Sequence, residues 1–488
     1  MDRSPLTGAQ RDRAAGVLVG QAAGDALGAP YEFQPARVND EPVEMAGGGS
    51  FDWAPGEWTD DTSMAICIAE VSARGQDLRT DSAQDAVVER FITWAEEARD
   101  IGNQTSAVLR STRVRAERSA QAASHAALQR FISSGSAGNG SLMRTSPVAL
   151  AYLHDAPARR EAARAISALT HPGEDAEDAC QIWCDAIAHA VIHGSLDGVR
   201  LGVDALPTSR AALWHERLDE AERCRPHEIA HNGWVVAALQ AAWSAIHHAH
   251  VDGAVDADRP ETLARAIEAA VRCGSDTDTV AAIAGGLLGA RWGLSAIPLR
   301  WQRLLHGWPG YRARDLIRLA MLTASAGRPD AQGWPGIARL DYSAYAGITA
   351  LAIHPHDPHV ILGGVDALRH LPDGVDAIVS LCRLGSAEHA PRGVRAADHV
   401  EVWLIDRSGG NQHTDFVLAQ AVEAVAQLRA EGRRVLLHCV QAQSRTPAVA
   451  ALYSVRHLGL SPEQALIDVC RTLPEAHPQR EFVEVIHA

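Results

Sequence analysis

The sequence predicts two domains: an all-α globule followed by a smaller α/β domain. Three observations carry that expectation. From Arg11 to about Ala326, alanine-rich stretches place apolar residues at three- and four-residue steps, with almost no strand-like alternation. Ser325–Pro335 (SAGRPDAQGWP) then concentrates turn and breaker residues. Beyond it, short β-prone runs alternate with helical stretches, the pattern of an α/β layer structure. The 488 residues exceed what one core of roughly 150 residues uses. The boundaries read as 1–326, a linker over 327–339, and 340–488.

Taken in order, Val87, Val88, Phe91, Ile92 and Ala95 predict a helix within Ala83–Ala98. Further helices are expected over Ala176–Ile192 and Leu263–Val271. In the second domain, Val360–Leu362, Ala377–Leu381, Val400–Ile405 and Val435–Leu437 read as strands. Phe416–Glu431, Pro447–His457 and Pro462–Arg471 read as helices. His354–His359 (HPHDPH) reads as a proline-broken entry loop, and His247, His248 and His250 as a solvated helix end. Neither is read as a metal cluster, and adjacent histidines on a helix end, as in the His247–His250 run, point in different directions.

Composition narrows the chemistry. All 45 basic residues are arginine, which excludes a Schiff-base lysine and the lysine of a phosphate-binding P-loop. The net charge is −15 and both domains are acidic, so no footprint for nucleic acid or a membrane surface is present. The eight cysteines are scattered without a Cys-x-x-Cys pair. The opening MDRSPLTGAQRDR lacks a signal peptide's apolar core, and no apolar run is long enough to span a bilayer. These features predict a reduced, cytoplasmic protein with neither nucleic-acid nor membrane partners.

Four segments of the first domain carry the chemistry. They are Gly24–Glu32 (GDALGAPYE), Trp58–Met64 (WTDDTSM), Gly138–Arg144 (GNGSLMR) and Gly274–Thr279 (GSDTDT). The second and fourth each group two carboxylates with hydroxyls, the oxygen-rich donor set that hard cations such as Mg²⁺ require. Helix N-capping is the competing use, since Thr59, Asp60, Ser275 and Asp276 each precede an alanine-rich helix.

In this order the four segments resemble the ADP-ribosylglycohydrolase family, over about residues 11–325. The resemblance implies a compact all-α fold binding two Mg²⁺, or Mn²⁺, ions below an ADP-ribose cleft. It implies Thr59, Asp60, Asp61, Asp276, Asp278 and Thr279 as metal ligands. Glu32 matches the glutamate near the reacting ribose, with Asp60 and Asp61 the carboxylates most needed for catalysis. Gly138, Asn139, Gly140 and Ser141 match the loop along ribose and phosphates, and His171 a phosphate-contacting histidine. Ser275 stands where the family usually has glycine.

In the second domain, Val435–Pro447 (VLLHCVQAQSRTP) runs from a strand through a loop into a helix. Cys439 and Arg445 flank the five-residue loop Val440, Gln441, Ala442, Gln443 and Ser444. Such a loop presents backbone N–H groups to a phosphate, and a helix N-terminus behind it lowers the thiol pKa. Arginine then grips two phosphate oxygens at once. Residues 340–488 resemble the dual-specificity branch of the cysteine phosphatases. The likeness implies a thiophosphoryl intermediate on Cys439, transition-state stabilisation by Arg445, and help to the departing thiolate from Thr446. Asp406, 33 residues before Cys439, matches the general acid, with Asp415 the weaker candidate. Ala442 stands where that family's loop has glycine; if the position needs φ > 0, alanine costs on the order of 1 kcal/mol.

The expected function is Mg²⁺-dependent hydrolysis of the ribosyl bond of ADP-ribosylated protein, on an arginine or serine acceptor, joined to cysteine-dependent hydrolysis of a phosphorylated substrate. The alternative is a first domain acting on a free ADP-ribose derivative and a second that reads phosphate without turnover.

Overall fold

The computed structural model describes residues 5–37, 41–114, 119–135, 137–252, 259–345 and 350–488. The first four residues, part of the N-terminus read above for targeting signals, lie outside them. The chain divides into two compact units. The first comprises 1–297 and 304–328, the second 298–303 and 329–488.

The first unit is built of helices. Those expected from periodicity form over Asp81–Trp94, Glu174–His193 and Glu261–Val271. Among its described residues, sheet-like pairing amounts to a two-residue antiparallel ladder of His306–Gly307 with Tyr311–Arg312 and isolated bridges such as Gly138 with Trp234. Three helices set up the site: α1 (Gly8–Gly28), α2 (Asp60–Ser72) and α3 (Thr277–Trp292). Gly16, Gly20, Gly24 and Gly28 form a stripe along α1, one per turn. A Cβ on Gly20 would lie 2.4 Å from the Gly285 carbonyl oxygen, and one on Gly24 2.0 Å from that of Ala281. The α1 and α3 backbones therefore touch, which only glycine at these positions permits. α1 and α3 are buried almost end to end, as expected of helices without a polar face.

The second unit holds a five-stranded sheet of β1 (Leu351–His354), β2 (Asp357–Gly363), β3 (Ala377–Ser380), β4 (His399–Glu401) and β5 (Val435–His438). The order is β1-β2-β5-β3-β4. β1 pairs antiparallel with β2, and the remaining neighbours are parallel. Side chains alternate between two cores: Val360, Leu362, Val379, Val435 and Leu437 face one, Ile361, Ile378 and Leu436 the other. The helices are α4 (Thr414–Ala430), α5 (Arg445–Leu458), α6 (Pro462–Thr472) and α7 (Arg480–His487).

Some expectations need correction. His354–His359 is not a loop: it is the β1–β2 hairpin, with His354 accepting the backbone N–H groups of His356 and Asp357 on Nδ1. The run Val400–Ile405 is a strand only to Glu401. Within the stretch read as linker, the carbonyls of Ile337 and Ala338 accept from Ser386 and Ala387, and Asp330 pairs with Arg383 at 2.7 Å. Its turn residues therefore pair with the second unit. Helix α7, too short to announce itself by period, adds Phe482 and Ile486 to the core. No helix among the described residues is long and apolar enough to cross a membrane.

Candidate functional site

The first site forms where the last turn of α1 meets the first turns of α2 and α3. Asp25, fully buried on α1, accepts the Thr59 N–H at 2.8 Å, the Thr62 N–H at 3.0 Å and the Thr62 hydroxyl at 2.6 Å. This carboxylate from another helix satisfies the first turn of α2. Thr59 and Asp276 sit at the N-cap positions of α2 and α3, yet neither side chain makes a capping hydrogen bond. The Thr59 hydroxyl points instead among carboxylates, 3.1 Å from Asp61 Oδ2 and 3.5 Å from both Asp60 Oδ1 and Asp278 Oδ2.

Two oxygen groups result, Asp25–Asp61–Asp278 and Glu32–Asp276–Asp278, each with its ligand atoms within 4.8 Å of one another. Asp278 belongs to both. Burial, then the neighbouring charges of Asp25, Asp60 and Asp276, push Asp61 well above the usual carboxylate range. Burial and Asp100 do the same to Asp60, and burial and Glu32 to Asp278. Glu32 is raised to about 9 by burial, then by Asp100 and Asp276. Asp25 reaches about 6 by burial, held down by its bonds from Thr62 and Thr59.

This arrangement fits a hard divalent cation. The donors are all oxygen, and Glu32 Oε2 and Asp61 Oδ1 are buried with no hydrogen-bond partner. Crowded buried carboxylates are unfavourable unless positive charge lies between them. Thr279, the remaining expected ligand, is buried at the same helix start, where its N–H donates to Asp278 Oδ1 at 3.0 Å.

The Gly138–Ser141 loop borders this pocket. Asn139 donates through Nδ2 to Asp276 Oδ2 at 2.7 Å and to the Asn232 carbonyl at 3.0 Å. Its amide thus holds a carboxylate of the cluster, which the sequence reading, placing it with the substrate, had not foreseen. His171 is buried beneath the loop, and a Cβ on Gly140 would lie 2.8 Å from its Cε1. Burial, then Arg144, lowers His171 to about 3, so the ring is neutral. The Ser141 hydroxyl turns inward and accepts from Ser167 at 2.9 Å. Ser275 adopts φ 60°, so serine does occupy the left-handed turn where glycine is usual. Sequence reasoning missed two residues of the site. Asp25 stood in a recognised segment but was assigned no role. Asp100, whose charge raises Glu32 and Asp60, lies in no motif.

In the second unit the 440–444 loop joins β5 to α5. Cys439 is buried at the strand end, and Ala442 adopts φ 58°, so the position does need the conformation that disfavours alanine. The Val440 carbonyl accepts from Val365, and that of Gln443 from His477. Gln441 is half-buried on the loop. Arg445 Nη1 donates to the carbonyls of Leu381 at 2.6 Å and Leu404 at 3.1 Å. Its Nε and the Thr446 hydroxyl are buried without hydrogen-bond partners. Asp406 faces this loop: Oδ1 accepts from Ser444 at 2.7 Å and Gln479 at 2.6 Å, and Oδ2 lies 3.4 Å from Arg445 Nε. Asp415 sits in the first turn of α4.

Comparison with known proteins bears on the first of these sites. The chain is 31% identical to the ADP-ribosylarginine hydrolase Tri1 of Pseudomonas putida (strain GB-1) over 298 residues, 59% of this chain and 73% of that one. It is 29% identical to the ADP-ribosyl-[dinitrogen reductase] glycohydrolase of Rhodospirillum rubrum over 297 residues, 59% and 89% of the two chains. Among solved structures, the PTP-2 phosphatase of Cydia pomonella superposes with a TM-score of 0.25 at 24% identity, covering 28% of this chain and 88% of that one. The family model for ADP-ribosylglycohydrolase matches residues 6–331, the stretch that contributes all four acidic and glycine-rich segments, and the chain belongs to that family.

Proposed function

We propose that residues 1–326 form a divalent-cation-dependent hydrolase that cleaves the ribosyl bond of an ADP-ribosylated protein, with arginine as the acceptor. The observation that carries this reading is the pair of oxygen groups sharing Asp278. Asp25, Asp61 and Asp278 would hold one cation, and Glu32, Asp276 and Asp278 a second, with Thr59, Asp60 and Thr279 around them. When bound, Mg²⁺ or Mn²⁺ supplies Lewis acidity and positive charge for ribose hydroxyls. The chain's own groups do the rest. As the glycosidic bond breaks, water adds to the ribose carbon and its proton goes to the departing guanidine, and the carboxylates of Glu32 and Asp60 would face the oxocarbenium-like charge that develops at that carbon. The Gly138–Ser141 backbone, which Gly140 lets pack closely on His171, would lie along ribose and phosphate. The arginine acceptor is favoured by likeness to a relative named as an ADP-ribosylarginine hydrolase.

Release of ADP-ribose from arginine-modified protein, with and without Mg²⁺, tests the reading. It should stop on chelation and in Asp61→Asn. Release from serine adducts or free ADP-ribose derivatives alone would overturn the acceptor assignment.

For the second domain, 340–488 after the 327–339 linker, we propose phosphate-monoester hydrolysis on Cys439. The Thr446 hydroxyl, buried with no hydrogen-bond partner, supports an anion at the loop, beside an Arg445 Nε that makes no hydrogen bond and lies 3.4 Å from Asp406 Oδ2. The thiolate would attack phosphorus while Asp406 protonates the leaving oxygen; water then releases phosphate from the thiophosphoryl group. Turnover of an aryl phosphate that disappears in Cys439→Ser is the expected result. Phosphate binding without turnover would make the loop a reader.

A further inference from the structure

Beneath the Cys439 loop lies a chain of three buried side chains whose hydrogen bonds admit one arrangement of protons. The Ser380 hydroxyl is 2.7 Å from His399 Nε2 and 2.6 Å from His438 Nε2. His399 Nδ1 accepts the Ala390 N–H at 2.9 Å, so Nδ1 carries no proton and Nε2 does. His399 therefore donates to Ser380. The Cys439 carbonyl, 3.2 Å from His438 Nδ1, can only accept, so the neutral His438 ring carries its proton on Nδ1 and its Nε2 accepts the one proton that Ser380 has to give. Each ring nitrogen and the hydroxyl then has a partner of the right kind, and the reverse assignment would set the His399 Nδ1 proton against the Ala390 N–H.

All three residues are buried, and His438 is held to about 4 by burial, so its ring is neutral. Parallel pairing places them: Ser380 on β3 is in register with His438 on β5 and with Glu401 on β4, and His399, two residues before Glu401 on the same strand face, is in register with Ile378. The His399 ring also stacks on His389, centroids 4.6 Å apart and planes at 17°.

From this we infer that Ser380 and His399 are positioning residues for the phosphate loop, acting by locking His438 in its Nδ1–H tautomer. The consequence follows from peptide planarity. Carbonyl and N–H of the Cys439–Val440 peptide point in opposite directions. A carbonyl held by His438 fixes where the Val440 N–H, first of the loop's donors, points. The step into function rests on the phosphate-ester reading above; the tautomer does not.

Two measurements on the full chain separate the two. In the first, ¹⁵N-histidine spectra are assigned with His438→Gln. His438 should be protonated on Nδ1 in the native chain and in Ser380→Thr, and the resonance of its unprotonated Nε2 should shift in Ser380→Ala, which removes the donor to that nitrogen. An Nε2-protonated His438 in the native chain, or no change in Ser380→Ala, overturns the inference. In the second, kcat/KM for an aryl phosphate should fall about tenfold in Ser380→Ala, the scale of one lost buried hydrogen bond, and recover in Ser380→Thr. Native-like turnover in Ser380→Ala overturns the positioning role. Absence of turnover in the native chain overturns the phosphatase reading and leaves the tautomer to the spectra. If Ser380→Ala fails to fold, the native and Ser380→Thr spectra still decide.

Discussion

Gly28 and Asp278 meet backbone to backbone: a Cβ on Gly28 would lie 2.4 Å from the Asp278 Cα. The carboxylate shared by both oxygen groups thus owes its place to a residue with no side chain. Gly28→Ala forces α1 and α3 apart at the point where their ligands converge. We expect a loss of roughly 1–3 kcal/mol in stability, as for other overpacked cores, with weaker Mg²⁺ or Mn²⁺ binding. Thermal melts with and without metal read both effects.

Asp61→Asn should act in opposite directions with and without cation. Without one, removing a buried charge that Asp25, Asp60 and Asp276 repel raises the melting temperature. With one, the variant forfeits the ligand-linked gain, about 2.7 kcal/mol at a hundred times Kd. A melt in chelator beside a melt in Mg²⁺ checks the crossover.

Asn139→Ala should weaken cation binding, because the amide holds Asp276 at 2.7 Å. Loss of such an outer hydrogen bond to a ligand costs about 10–100-fold in metal affinity. Metal titration by calorimetry measures it. A rise in KM at unchanged metal affinity would return Asn139 to the substrate alone.

Ala442→Gly should stabilise the second unit by up to about 1 kcal/mol, since alanine at φ 58° carries the left-handed penalty. Orthovanadate binding should tighten or stay constant, and the denaturant midpoint should rise.

Much of this was legible in the sequence because it is local. Helical period, the turn-rich stretch after Ser325 and the alternation of strands and helices follow from side-chain spacing. The acidic segments and the Cys439–Arg445 loop are each contiguous. What sequence left open was pairing across the chain. Nothing in Thr59–Asp60–Asp61 says that α2 is capped by Asp25, 34 residues earlier, so capping and ligation could not be separated. The glycine stripe on α1 was readable as a period of four, but its meaning needs a partner helix. Strand β1 and helix α7 are short, and their patterns cannot stand above background until packing fixes them.

The sequence alone therefore determined which chemistries the chain can carry: oxygen ligands, a thiol beside an arginine, and no amine, since every one of its 45 basic residues is arginine. Tertiary structure decided which atoms are left to do it. Backbone contact between α1 and α3, with the capping of α2 by Asp25, joins Asp25, Asp61 and Asp278 into one group. Strand register, by contrast, sets Ser380 against His438. Both depend on distances between residues far apart in the chain, which local spacing does not encode and close packing does.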